Sequence, residues 1–122
     1  MSIIAVDKAI EILHAGRVVG IPTETVYGLA GRIDNDEALR LIFSTKQRPF
    51  FDPLIVHLAA DYEQTIGQLA THWPLIFSAL AQRFWPGPLT LVTRKTELVS
   101  PLITSGLDTV ALRCPNHPIT LE

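Results

Sequence analysis

The chain has 122 residues, 48% of them hydrophobic and 18% charged, and a formal net charge of -2. That length suits one domain able to bury about two thirds of its unfolded surface, and the balance excludes a disordered chain. The slight acidity argues against a protein that holds nucleic acid through many phosphate contacts, and a single cysteine, Cys114, excludes an internal disulfide or a multi-cysteine metal cluster.

No apolar run approaches the roughly 18 to 20 residues that span a bilayer, and residues 1–7 lack a basic region followed by an apolar one, so the expected compartment is the cytoplasm, without membrane contact. Asp7 is a suitable N-cap for a helix over residues 7–15, with Ala9, Ile10, Leu13 and His14 on one face and Gly16 ending it in a left-handed turn. Arg17 to Pro22 is a short β-branched run, as in a strand buried on both faces. Asp36 can cap a second helix whose stripe is Ala38, Leu39, Leu41, Ile42 and Phe43 and whose end lies near Thr45 and Lys46, ahead of Pro49.

Leu54 to Leu58 reads as a second buried strand, with Pro53 at its start. Residues 61–70 and 74–84 are predicted helices, the second opening on Pro74 and running through Leu75, Ile76, Ala79, Leu80 and Phe84 until Trp85-Pro86-Gly87-Pro88 breaks it. Residues 89–93 and 109–113 are two further strands, separated by a loop with Pro101 and Gly106. His117-Pro118 resembles a helix start close to the last residue, Glu122, and a terminal Leu-Glu also fits an expression remnant. Alternating helices and strands predict an α/β domain: a layered, twisted mixed sheet covered by helices.

Several segments carry polar groups at strand ends, where ligand sites of open sheets form. Thr23-Glu24-Thr25-Val26-Tyr27-Gly28 follows the first strand, although a Thr-capped turn with a solvated Glu24 explains it nearly as well. Lys46 and Arg48 alternate and would share a side if extended, offering a point charge and a planar fork to a polyphosphate or carboxylate; otherwise they are favourable charge at a helix C-terminus. Alternation puts His57 on the face opposite Val56 and Leu58, and puts Thr109, Ala111 and Arg113 on one face of their strand. An arginine beside a buried alanine needs an anionic partner, either a ligand or a carboxylate such as Glu24. Trp85 could stack a base but fits a core plug better, and no spacing among His14, His57, His72 and His117 makes a metal site. No phosphate loop, Gly-x-Gly-x-x-Gly or Gly-x-Ser-x-Gly is present.

Taken together, Pro22-Thr-Glu-Thr-Val-Tyr-Gly-Leu, Lys46-Gln-Arg-Pro with Asp52-Pro-Leu-Ile-Val-His57, Trp85-Pro-Gly-Pro-Leu-Thr and Asp108-Thr-Val-Ala-Leu-Arg113 resemble the ordered motifs of the YrdC-like family of threonylcarbamoyl-adenylate synthases. The resemblance runs from about residue 5 to the last residue. It implies a concave, positively lined cavity in which Thr25, His57 and Arg113 hold L-threonine, Arg48, Asp52 and Thr109 meet ATP, and Lys46 with Arg48 acts on its phosphates. Asp52 stands where similar proteins commonly have asparagine, so it should face away from the triphosphate or reach the magnesium ion.

The implied reaction joins L-threonine, bicarbonate and ATP, with Mg2+, into threonylcarbamoyl-AMP and pyrophosphate for threonylcarbamoyladenosine modification of tRNA. Implied partners are the tRNA threonylcarbamoyl-transfer machinery and tRNA or double-stranded RNA. Similar proteins continue with a Ser-x-Asn segment that this chain lacks, so residues 1–122 are expected to form a single YrdC-like domain incomplete at its C-terminal end. The competing expectations are an RNA-binding module, a carbamoyl-transfer domain of a metalloenzyme maturation factor, and an inactive fragment.

Overall fold

The computed structural model describes residues 5–22, 28–46 and 53–117. Its elements, in chain order, are α1 (Val6–His14), β1 (Val19–Ile21), β2 (Gly28–Ala30), α2 (Asp36–Lys46), β3 (Ile55–His57), α3 (Glu63–Leu69), α4 (Leu75–Phe84), β4 (Leu91–Arg94), α5 (Pro101–Thr104) and β5 (Thr109–Arg113).

Strand β5 is the organising element, because its alternation of Val110 and Leu112 with Thr109, Ala111 and Arg113 gives it one apolar and one polar face. It lies between β3, its parallel neighbour, and β4, its antiparallel one, in a mixed sheet of order β3-β5-β4. Val56, Leu91, Val110 and Leu112 are buried on one side, where they join Leu39 and Ile42 of α2, Ile66 and Leu69 of α3, Ala81 of α4 and Ile103 of α5 in a single core. Burying side chains of this size stabilises the fold by roughly 1.5–3 kcal/mol each. A separate antiparallel pair, β1 with β2, matches Val19 to Ala30 and Ile21 to Gly28.

The α/β class and the mixed sheet follow the sequence, and so do α1, α2 and the four expected strands to within a few residues, whereas β2 was not expected. Helix α1 starts one position early, on Ala5 as N-cap without a side-chain bond, and Asp7 sits in the first turn, where its charge complements the helix dipole. Asn35, rather than Asp36, caps α2: its Oδ1 accepts the Ala38 N–H at 3.0 Å. Leu41 is exposed, while the other four stripe residues of α2 are buried.

Neither β1 nor β3 is buried on both faces, since Gly20, Ile55 and His57 are open to solvent. In α4 the side turned inward carries Phe77, Leu80 and Ala81, and Leu75 and Ile76 are 88% and 61% exposed. Pro74 is the N-cap of that helix, not a residue of its first turn. Between β4 and β5 the expected loop contains α5, set by Ser100, whose hydroxyl accepts the Leu102 N–H at 3.2 Å, and closed by left-handed residues Ser105 and Gly106.

Candidate functional site

The helices cover one face of the β3-β5-β4 sheet, and the other carries the functional candidates. Residues opposite one another on neighbouring strands point to the same side, so register decides which groups meet. His57 pairs with Arg113, Ile55 with Ala111, Val92 with Ala111, and Arg94 with Thr109. The face therefore has three rows: imidazole and guanidinium at one end, an apolar row of Ile55, Ala111 and Val92 in the middle, and hydroxyl and guanidinium at the other end. Ile55 is 43% and Val92 55% exposed, so no helix of the described residues seals this middle row.

Neighbouring strands lie about 4.8 Å apart and residues climb roughly 3.3 Å each, which separates the Arg113 row from the Thr109 row by about 13 Å. A single elongated ligand can touch both. His57 is exposed, with Nδ1 3.2 Å from the Ile55 carbonyl oxygen. Arg113 is only 8% exposed although it belongs to the open side.

The Trp85-to-Pro88 turn explains that burial. Gly87 donates its N–H to the Cys114 carbonyl at 2.8 Å, and its own carbonyl accepts Arg113 Nε at 3.3 Å. The turn thus lies over the end of β5 and orients the arginine. Trp85 anchors the turn from below: its indole N–H donates to the Leu89 carbonyl at 2.7 Å, and its ring meets Tyr62 edge-on at 5.1 Å. It is 6% exposed, which gives it the core-plug role and leaves no surface for stacking a base.

The structure thus brings together His57 and Arg113, and puts Thr109 on the same face. Lys46 is exposed at the C-terminus of α2. Thr25, Arg48 and Asp52 lie outside the described residues, as does Glu24. Sequence reasoning missed the turn carbonyl of Gly87 and the placement of Arg94 opposite Thr109. Alternation along β4 carries the second signal, but only with the antiparallel register in hand.

Displaced pKa values belong to other clusters. The hydrogen bond and charge of Arg32 hold the Asp34 carboxyl below its ordinary range, and the same pair raises Arg32. Burial pushes the Tyr62 phenol up, helped by the neighbouring Glu63 charge and by Cys114. An open hollow of about 390 Å³ lined by Arg32, Ile33, Asp34, Gln68, Leu69 and Leu98 contains none of the open-face groups. Among the described residues no group of three or more His, Cys, Asp or Glu could hold a metal ion, and no helix is long and apolar enough to cross a membrane.

Fold and face together define an α/β domain with a mixed sheet that the described helices cover on one side and that carries cationic, imidazole and hydroxyl groups on the other. Residues 11–122 match the family described as telomere recombination, that of Sua5, YciO and YrdC, and the chain belongs to it. It is 49% identical to a threonylcarbamoyl-AMP synthase of Pyrococcus abyssi over 110 residues, 90% of this chain and 32% of the relative. It is 44% identical to one of Bacillus subtilis over 117 residues, 95% of this chain and 33% of the relative. A crystal structure of P. abyssi Sua5 complexed with L-threonine superposes with a TM-score of 0.90 at 47% identity, covering 95% of this chain and 34% of that one. The chain thus spans about a third of the length of these relatives.

Proposed function

We propose that this chain is the catalytic-fold portion of a cytoplasmic L-threonylcarbamoyl-AMP synthase, and that the open sheet face is its substrate surface. The observation that carries the reading is the ladder pair His57 and Arg113, formed on a fold shared at a TM-score of 0.90 with a Sua5 that binds L-threonine. A guanidinium already oriented by the Gly87 carbonyl is a natural partner for the amino-acid carboxylate, and the adjacent imidazole can meet its polar side. Thr25, by family resemblance, completes that pocket.

Threonine's amine takes up bicarbonate to give a carbamate with loss of water. A carbamate oxygen then attacks the α-phosphorus of ATP, the bond to the bridging oxygen breaks, and pyrophosphate leaves with that electron pair. No covalent enzyme intermediate is needed. The protein's part is to hold both substrates in line and to balance phosphate charge, with Lys46 and Arg48 near the phosphates and Thr109 and Asp52 at the nucleotide. Mg2+ would arrive with ATP and would supply further neutralising charge at its phosphates. The product would serve threonylcarbamoyladenosine formation on tRNA, through the partner machinery that transfers it.

Calorimetry with L-threonine tests the reading on the parent chain, His57→Ala and Arg113→Ala. Binding is expected in the parent and expected to weaken in both variants. His57 is exposed, so its truncation should leave the melting temperature in place and keep the result interpretable if Arg113→Ala unfolds. Parental threonine affinity in folded forms of both variants would refute the assignment.

A further inference from the structure

We propose that Arg94 is a phosphate-binding residue of the nucleotide site, a role that rests on reading the open face as the place where ATP and threonine meet. Three observations carry it. Antiparallel pairing sets Arg94 directly opposite Thr109, so both side chains stand on the open face at the end remote from Arg113. The backbone there is fixed on both sides: the Arg94 carbonyl accepts the Thr71 N–H at 2.9 Å, and the next amide, Lys95 N–H, donates to the Asp108 carbonyl at 2.8 Å.

The head group, by contrast, is exposed and makes no ion pair or hydrogen bond among the described residues. Other cations are employed within the fold: Arg32 by Asp34, Lys95 by the Val99 carbonyl at 3.2 Å, and Arg113 by Gly87. Arg94 has a backbone held on both sides, a planar fork unpaired among the described residues and a hydroxyl partner across the ladder. That combination suits phosphate oxygens, because a guanidinium donates two parallel hydrogen bonds and a threonine hydroxyl adds a third. The apolar row of Ile55, Ala111 and Val92 lies between the two charged ends, so the face orders an elongated ligand with its carboxylate at Arg113 and its phosphates at Arg94.

The test is a titration of the isotope-labelled chain with ATP, with inorganic tripolyphosphate and with L-threonine separately, following backbone amide shifts into the millimolar range. Parent, Arg94→Gln and Arg94→Lys are compared. ATP and tripolyphosphate should move the amides around Arg94 and Thr109, and Arg94→Gln should weaken both by roughly tenfold, the loss of one charge-assisted contact. Arg94→Lys should recover part of it, and threonine should bind all three forms alike.

Equal ATP affinity in parent and Arg94→Gln overturns the proposal while leaving the substrate face standing. A parallel loss of threonine binding in Arg94→Gln overturns it too, by marking the effect as structural. A parent that moves for neither ATP nor threonine brings down the reading of the face and the role of Arg94 together. A single-stranded RNA that shifts these amides where ATP shifts none would replace the nucleotide with a nucleic acid.

Discussion

Replacing Gly87 with alanine should loosen the fold and the proposed threonine pocket at once. A Cβ at this position would stand 2.3 Å from the Phe84 carbonyl oxygen and 3.5 Å from its carbonyl carbon. Both obstacles are backbone at the end of α4, so the turn itself has to move. Two contacts move with it, the Gly87 N–H to Cys114 bond at 2.8 Å and the Arg113 Nε to Gly87 bond at 3.3 Å. A neutral backbone bond contributes about 1 kcal/mol net and one from a charged donor about 1.5 kcal/mol or more, the longer contact being near the low end. The expected loss is therefore about 2–3 kcal/mol. In a domain of this size each kcal/mol shifts Tm by roughly 3–6 °C, so the melt followed by circular dichroism should fall by about 6–18 °C. Threonine affinity should fall as well, because Arg113 loses the carbonyl that orients it. A variant melting within about one degree of the parent would refute the close packing of the turn. A lowered Tm with parental threonine affinity would refute the link between Gly87 and Arg113.

Asn35→Ala removes the acceptor of the Ala38 N–H and should cost about 1 kcal/mol in urea unfolding, whereas Asn35→Asp, which keeps an acceptor, should cost less than half of that. Tyr62 gives the alkaline prediction. Its phenol ionises later in the fold than in the unfolded chain, so its contribution is complete below the unfolded value near pH 10 and is lost as pH rises through the native one. Urea midpoints measured between about pH 9 and 11 should decline in the parent, and Tyr62→Phe should flatten that decline.

How far the sequence reached depended on whether a local period was enough. A period of two placed His57 opposite Val56 and grouped Thr109 with Arg113, and each of those side chains is where alternation puts it. It does not say which strands are neighbours. The parallel match of β3 to β5 brings the imidazole beside the guanidinium, and the antiparallel match of β4 to β5 brings Arg94 beside Thr109. Both are long-range choices made by the core on the other side of the sheet. Helix α4 lies where the sequence puts it, but Leu75, Ile76, Phe77, Ala79, Leu80, Ala81 and Phe84 leave it apolar nearly all round, so composition does not separate the inner face from the outer one. Helix α5 has four residues, too few for a helical period to register. Asn35 and Asp36 are adjacent residues both able to cap, and only the observed bond decides between them.

The order of strands along the chain differs from their order in space, and biosynthesis has to resolve the difference. β5 sits in the middle of the sheet yet follows both its neighbours in the chain, and the contact between the Ala59 carbonyl and the Cys114 thiol joins residues 55 positions apart. While the ribosome is still adding the residues between them, β3 and β4 each have an unsatisfied edge, and His57 has no guanidinium beside it. Such delayed closure slows folding and leaves strand edges open to wrong partners in the interval. The row that joins His57 to Arg113 thus comes into being only when the last of these strands slides between the two already waiting for it.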